Sequence, residues 1–206
     1  KRGTAGAVAW SARDIAAQSP ALAFLSVFDA PISGALRSTV SAEGAISELV
    51  GFMQIGEGAL SPEPGAKPAK FDGAKIYIDY DPARQRIDFQ GANVESEIGM
   101  AQAEGHVYLT EFRGGWPNSL IGQVELTGAR LAPGGMFEAP LAIDSGRADL
   151  RVRLDPFSID IGQAVMFRGD NRYDASGTIA AETDGWRVAI DGAVERADLP
   201  EVMADR

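Results

Sequence analysis

From residue 32 onward the chain alternates apolar and polar residues. Period-two runs cover 32–40, 46–55, 74–80, 86–94, 106–110, 120–127, 148–154, 158–167, 173–181 and 186–194. Successive side chains of a strand point to opposite faces, so each run predicts a half-buried strand. Gly, Asn and Asp-Pro pairs punctuate the runs as turns do in an antiparallel meander. Parity then sorts the side chains. Ile76 and Ile78 fall on one face, with Lys75, Tyr77 and Asp79 on the other. The first face also collects Ile87, Phe89, Val107, Leu109, Val124, Leu126, Leu150, Val152, Leu154, Ile159, Ile161, Val188 and Ile190. Arg86, Asp88, Glu125, Arg151 and Arg153 oppose them.

Upstream of the alternation, residues 11–28 read as helical. Ser11 with Asp14 three residues on makes an N-cap pair, and Ser19-Pro20 closes one short helix and opens another, whose apolar side is Leu22, Phe24, Leu25 and Phe28. SPEPGAKPAK (61–70) and RLAPGGMFEAP (130–140) are rich in Pro and Gly and read as loops or edge crossings. The expected organisation is a helical cap over 1–30 and a β module over 31–206.

The β module repeats. A shift of 72 lays Ile87-Asp88 on Ile159-Asp160, Ala92 on Ala164, Ala103 on Ala175 and Gly105 on Gly177, and Gly34 stands upstream as Gly105 does. Turns alone also select glycine, but the Ile-Asp and Ala matches lie outside turns. The units read as 33–104, 105–176 and a partial 177–206.

Burial of the apolar face decides the fold. At about 25 cal/mol per Å², exposing it across eight or more strands would cost tens of kcal/mol against a net stability of about 5–15 kcal/mol. Two short helices cover only part of it. Either the strands fold into a packed β-sandwich, or they form a curved antiparallel sheet, a half-barrel or taco-like trough that an apolar ligand completes.

Composition narrows the partners. The 206 residues carry a net charge of −10, which opposes nucleic acid and anionic lipid surfaces, and contain no cysteine, which removes disulfides and thiolate chemistry. No apolar run approaches the roughly 20 residues of a membrane-spanning helix. The opening KRGTAGAVAW lacks an initiating Met and reads as the start of an excised piece.

Candidate chemistry is sparse. His106 is the single histidine and falls by parity on the wet face, so neither a catalytic triad nor a His-rich metal site can be assembled. Asp79 with Asp81, and Asp170 with Asn171 and Asp174, suit a hard cation by ligand type, but lack the spacing of a calcium loop and fit turns and a solvated face better. GxSxG, GxGxxG and Walker-type loops do not occur. Trp116 and Trp186 follow glycine turns, where an indole plugs the end of a sheet or offers a sugar-stacking platform. Trp10, Phe24 and Phe28 fit as staples over an open sheet end.

The entry PISG (Pro31 to Gly34), the GEGAL segment (Gly56 to Leu60), the turn YDPARQRIDF (Tyr80 to Phe89) and the following A-x-G (Ala103 to Gly105) give a glycine-spaced texture over about residues 20–195. That texture resembles the DUF3971 region of the bacterial AsmA-like envelope proteins. The resemblance implies a long curled sheet with a hydrophobic groove in the Gram-negative periplasm. It further implies a parent protein anchored at the inner membrane and a part in moving phospholipid to the outer membrane.

The expected function is a non-catalytic module that contacts phospholipid acyl chains along the apolar face. Neighbouring β modules or a second copy would dock at the sheet edges, with no cofactor, metal or nucleic acid. A ligand-free structural spacer is the first alternative, and a carbohydrate-binding or lipocalin-like carrier the second.

Overall fold

A computed structural model describes residues 10–40, 46–63, 65–132 and 140–196. Its elements are β1 (Trp10–Ser11), α1 (Ala12–Ala16), a 3-10 helix (Pro20–Val27), β2 (Phe28–Asp29), β3 (Pro31–Val40), β4 (Ile46–Ile55), β5 (Gly58–Leu60), β6 (Ala69–Phe71), β7 (Gly73–Asp81), β8 (Arg86–Ser96), β9 (Gly99–Thr110), β10 (Ser119–Leu131), β11 (Leu141–Ile143), β12 (Ser145–Leu154), β13 (Phe157–Arg168), β14 (Asn171–Glu182) and β15 (Gly185–Arg196).

Twelve strands form one antiparallel sheet in the order β1-β3-β4-β7-β8-β9-β10-β12-β13-β14-β15, with β11 paired to the far end of β10. The sheet curves but does not close into a barrel. A second sheet of three short strands, β2-β5-β6, lies apart from it. The fold is therefore the curved open sheet, and not two large sheets packed face to face.

Curvature has a local cause that recurs with the sequence. Adding 72 to Gly99–Thr110 (β9) gives Asn171–Glu182 (β14), and adding it to Gly73 gives Ser145, the first residue of β12. The pairing slips between Phe89 and Ala92, opposite Gly105 and Ala103, and again between Ile161 and Ala164, opposite Gly177 and Ala175. Each bulge adds residues to one strand only, which bends that strand and increases its twist. The glycines facing the bulges have φ of +151° and +154°. A Cβ at Gly105 would sit 2.2 Å from the Gln123 carbonyl oxygen, and one at Gly177 2.1 Å from that of Ala189. Only glycine accepts both that backbone and that approach. The first hairpin follows the same plan at an offset of 71, since Gly34↔Met53 and Leu36↔Gly51 correspond to Gly105↔Val124 and Val107↔Gly122.

The N-terminal elements fill one end of the trough. Ser11 caps α1, its Oγ accepting from the Asp14 backbone N–H (3.1 Å) and donating to Asp14 Oδ2 (2.6 Å). Ser19 caps the next segment, with Pro20 in its first turn. That segment, the second of the two short helices expected over 11–28, is a 3-10 helix. A three-residue period stacks Leu22 with Leu25, and Phe24 with Val27, so two rows of apolar side chains face the sheet. Leu22 and Leu25 are buried against Met53, Ile78, Ile87, Leu109 and Leu120. The cap also differs from its expected outline at both ends. Trp10–Ser11 pairs with β3 and Phe28–Asp29 with β5, so the cap is stitched to both sheets by backbone bonds. Residues 1–9 of the expected cap lie outside the described residues.

Of the two Pro- and Gly-rich stretches, 61–70 runs into β6 at its end. In the other, β10 continues to Leu131 and β11 resumes at Leu141, and 133–139 lie outside the described residues.

Candidate functional site: an apolar cavity in the concave face

Cross-strand partners in an antiparallel sheet share a face, so the pairing register decides which side chains stand together. One row runs Tyr80, Ile87, Val107, Gly122, Leu150, Ile161, Gly177, Ile190 across β7 to β15. The next runs Leu109, Leu120, Val152, Ile159, Ile179, Val188. Phe89, Val124 and Leu126 belong to parallel rows below, Leu154 pairs Phe157 above, and Ile76 alternates with Ile78. All fifteen groove candidates read from the sequence stand on this one face.

Their surroundings differ along the sheet. Ile76, Ile78, Ile87, Phe89, Val107, Val152, Leu154 and Ile159 line a cavity of about 310 Å³ whose exposed wall is entirely apolar. Leu109 lies beside it in the packed core. Val124, Leu126, Leu150 and Ile161 are half-buried and outside the cavity. Val188 and Ile190, at the β15 end, are 61% and 45% exposed.

The roof is made by the cap. Phe24 and Val27 from the 3-10 helix, Phe28 from β2 and Leu60 from β5 close the cavity opposite the sheet, with Leu120 and Phe157 completing its wall. Phe24 and Phe28 are the staples expected from the sequence. Leu60, Leu120 and Phe157 were not among the groove candidates. Parity carried a signal for two of them, since Leu120 alternates with Val124 and Phe157 with Ile159. Leu60 reaches the site only through the small sheet, a non-local pairing with no sequence signature.

The cap is held down by a few long-range bonds. Arg13 donates to the Ser61 carbonyl (2.9 Å), and the Ser61 N–H to the Val27 carbonyl (2.8 Å). Farther along, the Glu63 carboxylate accepts from the Phe157 N–H (3.1 Å), and the Trp186 indole donates to the Lys67 carbonyl (2.7 Å) while its ring meets Phe157 edge-on at 5.9 Å. Trp186 thus seals the sheet end above the cavity. Trp116, 41% exposed, sits in its own turn, its backbone N–H and carbonyl paired with those of Arg113.

The outer face is polar and largely self-paired. Arg86 bridges to Asp88, Arg153 to Asp160 (3.1 Å), and Thr178 donates to Asp160 (3.0 Å). His106 stands here, on the expected side, edge-on to Tyr108 at 5.6 Å. A wider hollow of about 670 Å³, open to water, runs over His106, Tyr108, Gln123, Asp149, Arg151 and Asp160. Asp81 serves its turn, accepting from the Ala83 and Arg84 N–H groups (2.9 and 3.2 Å), and Asp174 pairs with Arg172 (2.8 Å). Among the described residues no three His, Cys, Asp or Glu side chains group as metal ligands, and no helix is long and apolar enough to cross a membrane.

Burial, with Asp81 alongside, holds the Tyr80 phenol above its usual range at the edge of the core. Its hydroxyl donates to Gln85 Oε1 (3.2 Å), which fixes the turn that begins β8. No family model, no curated protein and no solved structure matches the chain.

Proposed function

We propose that this chain is a non-catalytic module that holds lipid acyl chains against its concave face. One observation carries the reading: a cavity of about 310 Å³ with no polar atom on its exposed wall, in register with an apolar strip that stays uncovered toward β15. An apolar cavity of about 150 Å³ already stays dry and takes up small hydrocarbons. Twice that space, bordered by exposed Val188 and Ile190, suits the end of an acyl chain with the remainder lying along the strip. Headgroups would stay in water at the rim, and transfer would need no bond making. Together with the AsmA-like texture, this favours a periplasmic part in phospholipid movement between inner and outer membranes, inside a parent protein anchored at the inner membrane. Neighbouring β modules would then add at the β3 edge, where β1 pairs, among the described residues, with Pro31 and Ile32.

The test is mass spectrometry of the purified chain under native conditions, then solvent extraction, before and after incubation with phosphatidylethanolamine vesicles. Bound phospholipid at about one per chain is the expected result. Protein that emerges free of lipid after both steps would reduce the module to a structural spacer.

A further inference from the structure

We propose that β15 is a self-complementary edge through which two copies of this chain join their sheets about a two-fold axis. The outer edge of β15 pairs with no strand among the described residues. Sheet edges in soluble proteins are normally blunted by Lys, Pro or a bulge. Residues 185–194 contain neither Lys nor Pro, and their pairing to β14 runs from Gly185 to Val194 without a slip. Val188, Ile190 and Val194 on this strand are all strongly exposed. An edge without Lys, Pro or a bulge over this stretch, with exposed aliphatics on its concave side, recruits another strand.

Symmetry and charge select the register. A two-fold axis perpendicular to the sheet keeps each concave face on the same side, so a residue must meet one of equal parity. With Ala189 opposite the partner copy's Ala189, Arg187 meets Asp191 twice on the outer face, and Val188 meets Ile190 twice on the concave face. Sliding to Val188 sets Arg187 against Ala189, sliding to Ile190 sets Asp191 against Ala189, and sliding to Asp191 places two carboxylates together. Only the Ala189 register pairs both charges and both large aliphatics. Arg187 already touches Glu182 (2.8 Å), but that pair is exposed and exchangeable. Joined this way, the two open troughs meet at their uncovered ends and form one continuous apolar lining.

Because the chain has no cysteine, a single introduced thiol reads the register directly. Facing residues lie about 4.5–5.5 Å apart at Cα, within the roughly 4.4–6.8 Å of a disulfide. Ala189→Cys should therefore give a covalent dimer on mild oxidation. Ala193→Cys should not, since its two copies would lie about 27 Å apart at about 3.4 Å per residue. Sedimentation of the unmodified chain should show mass rising with concentration toward two chains. Asp191→Arg should weaken association by about tenfold, and the double swap Arg187→Asp with Asp191→Arg should restore it. Circular dichroism confirms that each exposed substitution leaves the fold intact. A chain that stays monomeric at high concentration overturns the proposal, as does equal cross-linking at 189 and 193 or a dimer indifferent to the charge reversal.

Discussion

Replacing Val107 with Phe separates a ligand cavity from a slightly loose core. Val107 lines the cavity from the last third of β9, and the cap residues Phe24 and Phe28 line it too. Phe adds four carbons to the side chain. Each buried methylene contributes about 0.8 kcal/mol, so complete accommodation sets an upper limit of about 3 kcal/mol. Loss of ring rotation and imperfect fit bring the expected gain to about 2 kcal/mol. In a domain of this size that raises the Tm by roughly 4–8 °C. The same ring occupies the volume an acyl end would take, so retention of a dansyl-labelled fatty acid, read by fluorescence, should fall by about tenfold. In a filled core the extra bulk would instead cost about 1–3 kcal/mol. Thermal unfolding of the delipidated protein and the fluorescence titration are therefore read together. A lowered Tm with unchanged fatty-acid binding would refute both the space and its proposed use.

Gly105→Ala and Gly177→Ala should each destabilise by about 2 kcal/mol or more in urea unfolding, because a Cβ meets a carbonyl oxygen at 2.2 or 2.1 Å on a backbone that side chains avoid. Gly128→Ala, where nothing lies within 4 Å, should change stability by less than about 0.5 kcal/mol. Trp186→Phe keeps the ring but removes the bond to the Lys67 carbonyl, and should cost about 1 kcal/mol while speeding amide hydrogen exchange at the Phe157 N–H. Tyr80 titrates above its unfolded value of about 10, so its contribution to stability is complete below that pH. As pH rises through the folded pKa, the unfolded chain releases a proton that the native state retains, and the contribution is lost. Urea midpoints measured from about pH 9 upward should therefore fall less steeply in Tyr80→Phe than in the unmodified chain.

Strand positions were legible because they rest on parity, which needs no knowledge of the partner. Ile78 and Ile87 read as one face from alternation alone, and their shared environment in the structure is the same statement in three dimensions. The 72-residue shift was legible for a similar reason: a bulge opposite glycine is a local event, and the two residues it needs, Gly105 and Gly177, have no substitute. What alternation does not encode is how far the cap reaches. Val107 and Val188 have the same sequence signature, yet one lines a covered cavity and the other is 61% exposed, because coverage depends on where Leu22, Phe24 and Leu25 land after a chain reversal. The small sheet was hidden in the same way. Ala69–Phe71 closes a Pro-rich stretch whose composition speaks only of loops, and it becomes a strand because β5 offers it a partner.

The choice between packed sandwich and open trough turns on how burial varies among residues of one parity. A sandwich buries the inner face of every strand, since its second sheet is as wide as the first. Here the inner face goes from 2% exposed at Ile87 and 4% at Leu109 to 45% at Ile190, within rows that the register shows to be continuous. The cap accounts for the dry end, where the packed core of Leu22, Leu25, Met53 and Ile78 anchors the fold. Toward β15 that cover falls away, although the bulge of β13, Gly177 of β14 and the aliphatic row continue the pattern of the dry end. Exposed aliphatic side chains such as Val188 and Ile190 are costly in water. Among the described residues the tight packing therefore lies in one half of the trough, and the aliphatic row stands exposed in the other.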